Sequence, residues 1–321
     1  MTEPKRQNNP RLLHKPVRLL MDKLGAAIYA DPAFDKLSGH PLETFRSLKR
    51  SCFLWGKGRT VEDFQRIKLG SYARFANPSA AMVSWLEHPN QSMHYRACAF
   101  DLVLQEKNKN WIRKLLTPIW SRFYKGENIY AKAGFLANQI GLRSFEHTYQ
   151  QDSFHFELPI ISQPKDQDSC YVFALFNALQ KIRPDYRKMK KEELRLSAID
   201  FYKKFKKEIY LENGIQKRLQ KKDVFMYAEW SGLIYGYEEK ELTKDSFKKT
   251  SNSKAWVIFQ GFGGGRKRWT TTVKQGKGIY KHAYVADSFD GDSLWCRNSY
   301  KECPMFLLND LSVISKSFLI W

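Results

Sequence analysis

The sequence predicts an α+β protein of two domains, and three observations carry that expectation. Helically spaced apolar residues dominate residues 1–150, strand-like runs gather after residue 255, and 321 residues with 43% apolar content supply core for two domains. In residues 151–321 the helices come first and the sheet later, which is an α+β order and not the alternation of a parallel doubly wound fold.

The elements follow in chain order. Asn77-Pro78-Ser79 predicts a helix start and His88-Pro89-Asn90 the stop after it. Tyr95 to Phe123 is periodic like a helix, with Pro118 as a kink or break. Ile129 to Ile140 predicts another helix, closed by Gly141. These make the N-terminal domain mostly α-helical. The polar stretch 148–153 then separates it from Phe154 to Pro159, which alternates like a strand, and places the boundary near residue 150. A helix over 171–181 follows the loop 164–169. Lys190 to Tyr210 spaces Leu194, Ile199, Tyr202, Phe205 and Ile209 along one face, with lysines opposite. Ala255 to Gln260, Tyr284-Val285-Ala286 and Ser293 to Arg297 read as strands, the last two joined at Asp290-Gly291-Asp292, a hairpin signal.

The net charge is +21. Residues 1–150 carry 24 basic and 12 acidic side chains, a net of +12, and residues 151–321 carry 30 and 21, a net of +9. Lys181 to Lys222 alone holds 15 basic and 6 acidic residues, again +9, so the rest of the second half sums to zero. That segment reads as a solvated amphipathic helix, or as a docking face for an acidic protein, phospholipid headgroups or another anionic surface. No zinc-finger spacing or aromatic RNA-binding signature is present, so nucleic acid is an unexpected partner. No run approaches the length of a transmembrane span. Residues 1–18 are basic without an apolar core, so a Sec-type signal peptide is not expected. The five cysteines, Cys52, Cys98, Cys170, Cys296 and Cys303, form no C-x-x-C pair and read as reduced thiols. The seven histidines are scattered, and neither a metal site nor a cofactor is expected. Gly261-Phe262-Gly263-Gly264-Gly265 lacks the third glycine of a dinucleotide fingerprint and the Gly-Lys-Ser/Thr ending of a P-loop, and reads as a turn.

Cys170 stands where the polar loop 166–169 meets an apolar helical run, hence at a helix N-terminus, where the macrodipole and backbone N–H groups favour thiolate. Such a nucleophile needs a base. His282 opens one strand, and Asn298 closes the next, where a neutral amide can orient the imidazole.

In these segments the sequence resembles the papain-like cysteine peptidases. Gln163 through Ala174 (QPKDQDSCYVFA) is similar to the family's glutamine-loop-cysteine-aromatic motif, Lys281 to Ala286 to its histidine strand, and Trp295 to Tyr300 (WCRNSY) to its asparagine block. The resemblance implies a helix bearing Cys170 packed on an antiparallel sheet bearing His282 and Asn298. It further implies that Cys170 is the nucleophile, His282 the base and then acid, and Asn298 the ring orienter. Gln163 would supply the oxyanion donor together with the Cys170 backbone N–H. The sequence departs from the family in several places. Pro164 occupies the usual glutamine position, so Gln163 implies a loop one residue longer, with Gln167 as the alternative. Tyr171 and Tyr300 replace commoner tryptophans, Lys301 replaces a usual glycine, and the paired cysteines of secreted members are absent.

The leading expectation is a peptidase cleaving a protein or peptide amide. Acyl transfer or deamidation through the same thioester is the second, transglutaminase-like enzymes usually taking an aspartate such as Asp287, Asp290 or Asp292 as third member. A non-catalytic protein docking through its basic surface is the third. Residues 1–150 read as a docking, targeting or regulatory region, and the lysine-rich composition suits a cytoplasmic protein or a bacterial effector delivered by a non-Sec route.

Overall fold

Val17, Met21, Leu24 and Ile28 recur at helical intervals and are all buried, so Lys15–Ala30 folds as α1 with Pro16 in its first turn. The computed structural model describes residues 2–84, 86–106, 123–124, 126–145, 153–164, 169–210, 222–260, 282–300 and 303–321. The chain divides into two units, Met1–Leu158 and Pro159–Trp321.

In the first unit α1 is followed by β1 (Leu37–Glu43), α2 (Leu48–Trp55), α3 (Val61–Arg66) and β2 (Ala99–Glu106). The short pair β3 (Phe123–Tyr124) and β4 (Glu127–Asn128) leads into α4 (Ile129–Ile140), then β5 (Arg143–Ser144) and β6 (His155–Glu157). A four-stranded antiparallel sheet runs β1-β2-β6-β5. The α4 bounds are those the sequence predicts. The Asn128 side chain accepts the Ala131 N–H at 2.9 Å, and Gly141 ends the helix at φ 104°, a left-handed conformation suited to glycine.

The first unit is mixed rather than mostly helical, which corrects two expectations. The first concerns the periodic run from Tyr95, which contains β2. Phe100, Leu102 and Leu104 are buried on one face, and Ala99 and Val103 on the other, and β2 is an interior strand between β1 and β6. A strand buried on both faces loses its alternation and imitates a helix. Pro118 lies outside the described residues. The second concerns Asn77, which starts no helix. Its backbone is bridged to residues 56 and 58, and its side-chain oxygen accepts from Ser79 Oγ at 2.9 Å, so it cannot cap. Pro89–Gln91 is a single 3-10 turn. The unit extends to Leu158 because β6 pairs with β2; residues 146–152 lie outside the described residues.

The second unit opens with α5 (Cys170–Ile182), α6 (Pro184–Lys188), α7 (Lys191–Tyr210), α8 (Asp223–Trp230), β7 (Tyr237–Glu239) and α9 (Lys244–Lys248). The strands β8 (Ala255–Gln260), β9 (Ala283–Asp290), β10 (Ser293–Arg297), β11 (Met305–Leu308) and β12 (Ile314–Ile320) follow. They form an antiparallel sheet in the order β11-β10-β9-β8-β12-β7. The expected α5, α7, β8 and the β9–β10 hairpin are all present, with Gly291 at φ 61° in the turn. Almost every residue of α5 is buried. Val172, Phe173, Leu175, Phe176 and Leu179 share one core with Val257, Phe259, Val285 and Phe318 of the sheet and with Leu194, Ala198 and Phe205 of α7. A helix apolar all round belongs at the centre of its unit. The other sheet face packs Trp256, Ile258, Tyr284, Leu294 and Phe306. On α7, Lys203, Lys204, Lys206 and Lys207 are exposed. Lys181 is not part of that basic face, since it is half-buried with its ammonium turned to the sheet, and residues 211–221 lie outside the described residues.

Candidate active site

Cys170 is the first residue of α5, buried to 8% exposure, so its backbone N–H stands at the end of the helix where no intrahelical carbonyl precedes it. The preceding Ser169 caps without a side-chain bond, and its buried Oγ has no hydrogen-bond partner among the described residues. Because α5 packs on the β8–β9 face, its start is held against the strand that His282 precedes.

His282 Nε2 lies 2.9 Å from Asn298 Oδ1. The Tyr300 backbone N–H also donates to that oxygen at 3.3 Å, which fixes the amide's orientation independently. Nε2 therefore carries the proton, and Nδ1 is left as a base. The Tyr300 ring stacks on the imidazole, centroids 4.4 Å apart and planes within 9°, and Tyr284 meets it edge-on at 4.7 Å. This enclosure desolvates His282 and pushes it down to about 4 from 6.5, against the raising effect of the Asn298 bond. The Tyr284 hydroxyl is pushed well above its usual range by burial, with smaller effects from the nearby ionisable groups of Cys296, Tyr300, Cys170 and Cys303. Cys170 is thus within electrostatic reach of a ring that touches His282.

The hairpin that leads to Asn298 carries a bulge. From the hairpin turn, Asp290 pairs with Ser293 and Ser288 with Trp295, but beyond Asp287 the register shifts and Ala286 pairs with Cys296. His282 and Asn298 lie just beyond this ladder, which ends at Val285 and Arg297. Two groups fasten this bulge. Lys181, near the far end of α5, donates Nζ to the Ala286 and Asp287 carbonyls at 2.8 and 3.1 Å, and Asp287 pairs with buried Arg297 at 2.6 Å. Burial pulls the Lys181 ammonium down to about 8, with Asp287 opposing.

Gln163 is tied to the residue after Asn298. Its N–H donates to the Ser299 carbonyl at 2.9 Å, and its Oε1 accepts from Ser299 Oγ at 2.9 Å, which leaves the Nε2 hydrogens as donors. Asn177 of α5 holds the same segment, accepting from Ile161 N at 2.8 Å and donating to Ile161 O at 3.1 Å. Gln167 lies outside the described residues, as do Lys281 and the glycine run 261–265.

The five cysteines are all thiols. Burial pushes Cys52 up to about 12 and Cys296 well above the thiol range. Of the aspartates weighed as third members, Asp287 is engaged by Arg297, and exposed Asp292 faces Lys244. Sequence reading missed Ser299, Asn177 and Lys181, which act by holding other residues. Ser299 left a trace, as the residue next to Asn298. The histidines, scattered along the sequence, are partly gathered by the fold: the first unit brings His94 and His155 around Asp101. Strand pairing, which spacing does not display, brings them together. No protein-family model matches the chain, and no curated protein is similar to it.

Proposed function

We propose that the second unit is a papain-like cysteine peptidase that hydrolyses a protein or peptide amide through Cys170, His282 and Asn298. The observation that carries this reading is the His282–Asn298 bond, closed over by Tyr300 and set beside the helix that begins with Cys170. In this reading neutral His282 takes the Cys170 proton at Nδ1, and the thiolate attacks the substrate carbonyl carbon. The oxyanion is received by Gln163 Nε2 and the Cys170 backbone N–H. His282 then protonates the leaving amine as the C–N bond breaks, giving a thioester. Water, deprotonated by His282, attacks the thioester, and the acid leaves as Cys170 regains its proton. The Asp287–Arg297 pair weighs against a transglutaminase-like triad, since the nearest aspartate is already committed.

The test is to map new protein N-termini in a cell extract treated with the full chain or with Cys170→Ala. The reading expects termini that depend on Cys170 and share a side-chain preference upstream of the cut. A mass gain of one dalton on substrate glutamines without new termini would replace hydrolysis of the chain with deamidation, and no Cys170-dependent change would sink the enzyme reading.

A further inference from the structure

We propose that His94, Asp101 and His155 form a binding site for one divalent first-row transition-metal ion. This site lies wholly in the first unit and is independent of the peptidase reading.

The fold builds it from two strands and one turn. Asp101 of β2 and His155 of β6 are direct cross-strand partners, so their side chains leave the sheet on one face as neighbours. His94 comes from the turn before β2, which is closed by Ala97 N–H to His94 O at 3.1 Å and Cys98 N–H to Met93 O at 2.9 Å. Ala97 holds φ 55°, a conformation rare for a residue with a side chain. The three donor atoms, His94 Nε2, His155 Nδ1 and Asp101 Oδ1, stand at the corners of a near-equilateral triangle with edges of 3.0, 3.0 and 3.2 Å.

Hydrogen bonds alone do not account for that triangle. Carboxylate Oδ1 only accepts, and each imidazole nitrogen offers one N–H or one lone pair. If both nitrogens are protonated, two N–H groups oppose each other across a 3.0 Å edge; if one is, the remaining nitrogen faces the oxygen lone pair to lone pair. A cation resolves all three edges at once. An ion about 2.1 Å from each atom would subtend roughly 95° between ligands, near the opening of three adjacent octahedral positions and well short of a tetrahedral set. Two imidazoles and one carboxylate in that facial arrangement suit a transition metal better than calcium or magnesium, which prefer all-oxygen shells.

The surroundings complete the site. His94 and His155 are buried. His155 Nε2 lies 3.6 Å from Glu157 Oε2, a carboxylate charge near the ring but beyond hydrogen-bond distance. Arg46 stands 3.9 Å from Asp101 Oδ2, which leaves Oδ1 for the ion. The Phe145 ring packs on His155 with centroids 4.2 Å apart.

The experiment is a Co2+ titration of the full chain after chelator treatment, followed by optical and X-ray absorption. One ion per chain is expected, with weak d–d bands of five- or six-coordination and about two imidazoles in the first shell. His94→Ala, a change in a turn rather than a strand, should weaken binding by roughly a hundredfold or more, with circular dichroism unchanged. Should that variant unfold, the wild-type absorption fine structure still decides. No saturable binding, a shell without imidazole, a thiolate-to-cobalt charge-transfer band, or undiminished affinity in folded His94→Ala would each overturn the proposal.

Discussion

At the scale of single residues, environment separates five chemically identical thiols. Cys303 is half-buried while Cys170 is buried, so exposure alone would favour Cys303. Position at a helix start favours Cys170 instead. Mild iodoacetamide and peptide mapping should label Cys170 first, and preferential labelling of Cys303 would remove its role. His282 supplies a second prediction. Its proton is lost at about 4 in the folded chain and 6.5 unfolded, so between those values the unfolded chain takes up a proton that the folded chain refuses. Stability should therefore fall as pH drops from 6.5 toward 4, by up to about 3 kcal/mol. His282→Gln should flatten that part of the slope in urea melts; an unchanged slope would mean that His282 is not held neutral. In turnover, Cys170→Ala and His282→Gln should be inactive, while Asn298→Ala keeps a remnant because it orients without transferring a proton. Cys170, His282 and Asn298 were legible as residue types next to predicted element ends, and Gln163 only through the family resemblance. Ser299 and Asn177 were not, because a residue that holds another through the fold leaves no spacing in the chain.

At the scale of elements, the proposed chemistry draws on one held loop beside a bulged hairpin. Ser299 orients the Gln163 amide, so Ser299→Ala should lower kcat by roughly tenfold with KM nearly unchanged, and Ser299→Thr should restore most of it. Gln163→Ala should cost on the order of a hundredfold. If Ser299→Ala raised KM alone, the hydroxyl would serve binding instead. At the bulge, Asp287→Ala leaves buried Arg297 without its carboxylate, and such losses destabilise by about 3–5 kcal/mol. The double change Asp287→Leu with Arg297→Met should recover folding and still label at Cys170. Failure of the folded double variant to label would return Asp287 to the mechanism. The helices α4 and α5 and the β9–β10 hairpin were readable because caps, uninterrupted apolar runs and turn residues are local signals. The β2 strand was not, since it is buried on both faces, and the Asp287 bulge was invisible because register belongs to pairs of strands.

At the scale of the whole molecule, the positive charge is spread over both halves while the proposed chemistry lies in the second unit alone. Docking through the first unit predicts that an epoxide or vinyl-sulfone probe labels Cys170 in the full chain about as fast as in a chain starting at Pro159. A start near 151 is unsuitable for that comparison, because it keeps β6 without the β2 it pairs with. Labelling only after residues 1–158 are removed would make that region an inhibitory pro-segment. The two-part division was legible as a change in element type, but its position was not, because β6 continues the sheet of the first unit.

The place of β12 between β8 and β7 bears on how the protein is made. On the ribosome, α5 emerges with its apolar surface complete long before the strands that enclose it, and the last of these closes the middle of the sheet. Until β12 inserts, nothing holds β7 in the sheet, and Phe318 is missing from the core under α5. A nascent chain therefore exposes a greasy helix headed by a thiol through most of its synthesis. Chaperone capture at α5 is the expected fate of a stalled chain, and the sheet of the second unit remains incomplete until β12 is translated.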